Sequence, residues 1–303
     1  MPQAHIPANV GPITLEYETM GKATDPAVLL IMGFGAQLIN WSDQFCQMLV
    51  DQDFCVIRFD NRDCGLSTKL DGVVVDPDVV LTAVLNGQDL PQVPYTLSDM
   101  AQDAIELLDH LGIESAHILG ASMGGMIAQT LVIQHPERAR SLISLYSVTG
   151  EFEIGAPTAE AAEALLGPPP TDRQAYIDAS PKYGVWQSKR YFNEAVVKRE
   201  AARAYDRSFY PEGSIRQLAA IYASGSRAEQ LQKLQTPTLV IHGEDDTLLT
   251  PDGGKRTAEL VPGSTFLLVA DMGHDLPEPL LPLVTGAMTA HMKLAEWQRA
   301  TGH

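Results

Sequence analysis

The stretch "GASMGG" (residues 120–125) sets a serine between glycines where a continuous apolar run, "AHILGA", gives way to text of helical period. Met123, Met126, Ile127, Thr130 and Leu131 share one face of that helix until His135 and Pro136 end it. A serine hydroxyl is a weak nucleophile until a base takes its proton. Raising it on a sharp strand-to-helix turn strains its own backbone, so the positions two before and two after must lack bulk. Gly120 and Gly124 meet that need, and Gly125 lets the helix approach the sheet. The pattern predicts Ser122 as a nucleophile, with the first free helical N–H, that of Met123, beside it. The competing explanation is a plain close crossing of two backbones. What separates the two is whether the chain also supplies a base, an acid and oxyanion donors.

Of the eight histidines, His274 alone falls in a loop straight after a β-like run, in "ADMGHDLP", ahead of an amphipathic helix. An imidazole there can swing over the carboxyl edge of a sheet. His117 and His242 sit inside β-like runs and read as buried, hydrogen-bonded histidines. His110 and His135 lie near helix C-termini, where a cation suits the dipole. The imidazole needs a carboxylate to hold its tautomer. "VIHGEDDTLLTP" offers Glu244, Asp245 and Asp246 after another β-like run; spacing favours Asp246, third after Gly243, with Asp245 its competitor. Asp271 and Asp275 are close to His274 in sequence, but adjacent loop residues rarely face one another, and Glu151 is a weaker alternative. Oxyanion donors are expected from "IMGFGAQ" (31–37), a glycine-rich turn after a buried strand, which makes the N–H groups of Phe34 and Met123 the predicted pair. Leu38 stands where a dinucleotide GxGxxG would need its third glycine. HExxH and GxxxxGK[ST] are absent, so neither a metal nor a cofactor is expected.

The elements that must carry these residues alternate. β-like runs at 14–20, 27–32, 55–59, 116–121, 141–147, 236–243 and 264–270 are separated by helix candidates such as 42–52 and 97–112. The second has Ser98 as its expected N-cap and Gly112 as its stop. This is the signature of an α/β fold, a mostly parallel sheet with helices on both faces. Alternation breaks between 150 and 235. "GAPTAEAAEALLGPPPTD" reads as a linker, followed by helical text in which nine of the chain's 20 aromatic residues lie between Tyr176 and Tyr222. The expected organisation is a core from 1–149 and 236–303 with a helical cap, 150–235, inserted between late strands. Tyr183, Trp186, Tyr191 and Phe209 are candidates for an apolar pocket under it; they could equally form the insertion's own small core.

The formal charge is −17 over 303 residues, and residues 151–235 hold 11 basic and 11 acidic side chains, so the excess lies in the rest. An acidic surface of this kind repels phosphate backbones and anionic lipid, so neither nucleic acid nor a membrane surface is an expected partner. Three cysteines without a CxxC pair, no apolar run of membrane-spanning length and no basic, apolar leader at the start predict a cytoplasmic protein.

The order Ser122, Asp246, His274 on an alternating chain resembles the α/β-hydrolase fold family. "RFDNRDCGLST" (58–68) is similar to that family's Asp-x-Arg-x-x-Gly-x-Ser loop, and with "LLIMGFGAQL", "GASMGGMIAQ" and "GHDLP" it resembles a serine-esterase branch that includes aclacinomycin methylesterase. The likeness spans nearly the whole chain and is weakest over 150–235, which corresponds to the family's cap. Met32 departs from the histidine that many relatives carry before the oxyanion glycine. The resemblance implies a cofactor-free carboxylesterase acting on small to medium esters through an acyl-enzyme. Alternatives are a haloperoxidase or perhydrolase and a proline iminopeptidase-like hydrolase on the same three residues, or, more distantly, a non-catalytic small-molecule binding protein.

Overall fold

Every residue of the strand Ala27–Ile31 is buried, as a strand covered by helices on both faces requires. In the computed structural model, which describes residues 2–167 and 170–302, its side chains part alternately. Leu29 and Ile31 join one apolar cluster and Val28 and Leu30 the other.

Among the described residues the sheet has eight strands: β1 (Gln3–Ile6), β2 (Ile13–Met20), β3 (Ala27–Ile31), β4 (Cys55–Phe59), β5 (Ala116–Ala121), β6 (Ala139–Leu145), β7 (Thr238–Gly243) and β8 (Thr265–Val269). Their spatial order is β1-β2-β4-β3-β5-β6-β7-β8. The β1/β2 and β2/β4 pairs are antiparallel, and every pair from β4 to β8 is parallel. The carboxyl ends of β3 and β5 to β8 therefore lie along one edge, where a fold of this kind binds ligands. β1 has no forecast in the sequence: four residues, Gln3–Ile6, with two side chains exposed carry too short a pattern.

The helices are α1 (Asp43–Val50), α2 (Pro77–Leu85), α3 (Leu97–His110), α4 (Met123–Gln134), α5 (Ala159–Leu166), α6 (Arg173–Ala179), α7 (Glu194–Arg207), α8 (Pro211–Ser224), α9 (Ala228–Leu231), α10 (Pro251–Leu260) and α11 (Leu281–Thr301). One apolar cluster joins the sheet to α3 and α4 through Met100, Leu107, Ile127 and Leu131; the other joins it to α1 and α11 through Phe45, Leu49, Val284 and Met288.

Two local expectations are corrected, and one helix had no forecast. α3 is capped by Thr96, not Ser98: the Thr96 and Asp99 side chains bond each other's backbone N–H in a reciprocal capping box, and Ser98 instead bonds Gln134. The stretch read as a linker contains α5, because Thr158 caps a run of alanine, glutamate and leucine that favours helix; Pro168 and Pro169 of that stretch lie outside the described residues. α2, capped by Asp76, escapes periodicity since its apolar residues point both ways, with Val80 buried and Val79 exposed.

Candidate active site

Ser122 sits between the last residue of β5 and the first of α4 with φ +58° and ψ −122°, a conformation that a side chain rarely adopts. Its backbone is held from three sides. Its N–H donates to Leu145 C=O (3.0 Å), and its C=O accepts from the Gly125 N–H (2.9 Å) and the Ser147 hydroxyl (2.7 Å). A Cβ on Gly120 would collide with the Gly124 carbonyl, and one on Gly124 with the Ile31 carbonyl, so both positions are glycine for want of room.

The turn after β3 lies directly on this serine. A Cβ added to Gly33 would stand 3.0 Å from Ser122 Cβ and 3.5 Å from its Oγ. The turn closes from Ala36 N–H to Gly33 C=O (3.2 Å) with Gly35 left-handed at φ +63°, and it carries Phe34 at its second position. Met123, the other predicted donor, is the first residue of α4, where a backbone N–H has no intrahelical acceptor. With Met32 at the position before Gly33, the backbone there is held by Asn61, whose Nδ2 donates to Met32 C=O at 2.9 Å.

The loops after β7 and β8 are laced together. Asp246 N–H closes a turn to Gly243 C=O (3.4 Å), and Glu244 and Asp245 donate their N–H groups to Val269 and Met272 carbonyls. This brings Asp246 Oδ2 to 2.7 Å from His274 Nδ1, while Asp246 Oδ1 accepts the N–H groups of Leu248 and Leu249 (2.9 and 3.0 Å). The competing acids are engaged elsewhere. Asp245 is 3.9 Å from Lys189 Nζ, Asp271 pairs with Arg190 at 2.8 Å, and Glu151 is bidentate to Arg256. Asp275 serves the loop's backbone, accepting N–H groups from Ser188 (3.0 Å) and Gly273 (3.2 Å). Burial pushes the Asp275 carboxyl up to about 6 against those two hydrogen bonds.

Burial also works against ionisation of Asp246, but His274 and His242 outweigh it and hold the carboxyl at about 2. His242, at the end of β7, donates to Leu249 C=O (2.7 Å) through Nε2 and lies 3.3 Å from Asp246 Oδ2, so the buried strand histidine also borders the acid. A carboxyl held below its unfolded value of about 3.9 adds stability above that value and loses it as the pH falls through about 2. The expected result is that the unfolding free energy loses roughly 2 kcal/mol more in wild type than in Asp246→Asn between about pH 4 and pH 2. Urea unfolding at stepped pH measures it; parallel curves for the two proteins would contradict the assignment.

Sequence reasoning missed several neighbours of this site. Tyr146, the residue after β6, has φ +34° and packs its ring 4.6 Å from the His274 ring. Its advance signal was its place at a strand's carboxyl end, beside the strand that leads into Ser122. Trp186 C=O accepts the His274 N–H (2.6 Å), so a residue considered for its ring also contributes its backbone. The candidate aromatics fall into separate groups. Tyr183 stacks on Trp186 (5.1 Å), Phe209 stacks on Tyr205 (4.6 Å) and meets Tyr176 edge-on, and Tyr191 lies under the Arg190 guanidinium.

The sequence profile of the alpha/beta hydrolase fold matches residues 26–278. Among curated proteins, rhodomycin D methylesterase DnrP of Streptomyces peucetius is 26% identical over 93% of this chain and 96% of its own. The 3-oxoadipate enol-lactonase 2 of Acinetobacter baylyi is 27% identical over 84% of both. Among solved structures, the enol-lactonase from Burkholderia xenovorans LB400 superposes with a TM-score of 0.73 at 23% identity, covering 96% of this chain and all of that one. Among the described residues no helix is long and apolar enough to cross a membrane.

Proposed function

The chain belongs to the α/β-hydrolase fold family, and from that premise we propose that it is a serine carboxylesterase in which Ser122, His274 and Asp246 act together. The observation that carries this reading is the 2.7 Å contact of Asp246 with His274 Nδ1 at the sheet edge that also presents Ser122 on a strained turn. With Nδ1 engaged, Nε2 is the nitrogen that takes the serine proton as Oγ attacks an ester carbonyl. The imidazolium forms beside a carboxylate that stays ionised, and the Phe34 and Met123 N–H groups receive the oxyanion. His274 then returns the proton to the departing alcohol, leaving an acyl-serine that water releases by the reverse steps. The similarity to methylesterases that span the same length favours esters over amides or peroxide chemistry. In this reading residues 150–235 are a cap, and its aromatic clusters suit small to medium apolar acyl or alcohol groups.

A fluorophosphonate probe should label Ser122 in the wild-type protein, located by mass spectrometry of the modified peptide. Turnover of a short-chain aryl ester should fall in step with the labelled fraction, since the probe occupies the hydroxyl that attacks the ester. An unlabelled wild type, or full labelling with turnover unchanged, would sink the reading.

A further inference from the structure

α8 lies in the inserted segment, 182 positions along the chain from the turn after β3, yet one of its side chains is built into that turn. Gln217 is fully buried; its Oε1 accepts the Gly35 N–H at 2.9 Å and its Nε2 donates to Arg62 C=O at 3.0 Å. The two partners leave no choice of orientation. A carbonyl can only accept and a peptide N–H can only donate, so the amide nitrogen must face Arg62 and the oxygen must face Gly35. The side chain that holds the turn is thus polarised by the loop after β4.

The position of Gln217 is itself over-determined. On its N-terminal side, Arg216 makes two 2.8 Å contacts with the buried Asp63 carboxylate, and Gly213 abuts the Asp63 carbonyl too closely for any side chain. One helix earlier, Arg207 at the end of α7 reaches Asp60 Oδ2 and Gln37 Oε1, both at 2.7 Å, and Asp60 Oδ1 accepts the Leu38 N–H. The segment from Gly35 to Leu38 is therefore held by helices of the insertion and by the 60–65 loop together.

Resting on the reading of Phe34 as an oxyanion donor, we infer that Gln217 is a positioning residue for ester hydrolysis, anchoring the Gly35 end of the turn so that Phe34, one residue earlier, keeps the N–H of the Gly33–Phe34 peptide in place for the oxyanion. The physical reason is the turn's geometry. A left-handed glycine at the third position of a tight turn lets the central Phe34–Gly35 peptide flip through the Phe34 ψ and Gly35 φ, and such a flip shifts the backbone of the turn that carries the Phe34 N–H. A buried acceptor on the Gly35 N–H removes that freedom. It acts in the transition state more than on substrate binding, because only the developing oxyanion demands the aligned donor.

The test is steady-state kinetics of Gln217→Met and Gln217→Glu on a short-chain aryl ester, with thermal melts of each. Methionine keeps the shape and loses both hydrogen bonds. It should lower kcat about 10- to 100-fold with KM within about twofold, less than the loss of a whole oxyanion donor. Glutamate, while protonated, offers the same acceptor to Gly35 and the same donor to Arg62, so its rate relative to wild type should fall as the pH rises and the carboxyl ionises. A folded Gln217→Met with wild-type kcat, or one whose loss lies in KM alone, overturns the inference. Should methionine prevent folding, the glutamate variant decides: a rate ratio that does not change with pH overturns it, and a falling one supports it. An inert wild type overturns the esterase reading and this inference together, whereas an active wild type with an unaffected Gln217→Met overturns this inference alone.

Discussion

Ser122→Ala is expected to fold as wild type does and to lose ester turnover by at least about 10⁴-fold, since removing the nucleophile of a serine hydrolase leaves only what the oxyanion donors and binding supply. The fold is expected to survive because what holds residue 122 is its backbone. The N–H to Leu145, and the C=O shared by Gly125 and Ser147, are untouched by loss of a hydroxyl. Alanine and serine are equally strained at φ +58°, so the unfolding free energy should stay within about 0.5 kcal/mol. Chemical denaturation and a p-nitrophenyl ester assay on the same preparation check both halves. Residual activity near wild type would remove Ser122 from the chemistry, and fluorophosphonate labelling of the variant would say where to look instead.

The second large effect separates neighbours. Asp246→Asn should reduce kcat by about 10⁴-fold, because an amide facing Nδ1 no longer dictates which nitrogen carries the proton and no longer offsets the imidazolium charge. Asp245→Asn should change it by less than about threefold, since its carboxylate is a quarter exposed and its charged partner is the solvated Lys189, a pair of little energetic weight. The comparison is sharp because the two residues are adjacent, of one type, and substituted in one way. A large loss in Asp245→Asn with a small one in Asp246→Asn would move the acid by one residue. The accompanying pH-dependent unfolding gives an independent reading, as the Asp246 carboxyl is held well below its ordinary value by His274 and His242.

Much of this was legible in the chain because it depends on local pattern. β3 and β5 are runs of small or apolar residues with no polar side chain except His117, the pattern of a strand covered on both faces. Gly120 and Gly124 announce the turn at Ser122 because the collisions they avoid involve residues a few positions away or the neighbouring strand's end. The expectation for His274 rests on its loop and that for Asp246 on its spacing, both properties of a strand's carboxyl end. Thr96 displaced Ser98 as the cap of α3 because only Thr96 has an Asp99 three positions ahead to answer it, a difference of two residues that periodicity does not resolve.

The remainder lay beyond reach for a common reason. Gln217, Asn61, Tyr146 and the Trp186 carbonyl are ordinary residues whose importance comes from what faces them, and their partners at Gly35, Met32 and His274 are distant in sequence. The choice between Asp245 and Asp246 also needed three dimensions, because a turn that closes on Gly243 points consecutive side chains in different directions. The sequence by itself determined the sheet, the strained serine and the chemical types gathered at one edge, since strand burial, glycine and turn spacing act over a few residues. Only the tertiary structure decided which carboxylate meets the histidine and which inserted helix holds the turn beside the serine, because a hydrogen bond depends on distance and angle between groups that chain order leaves far apart.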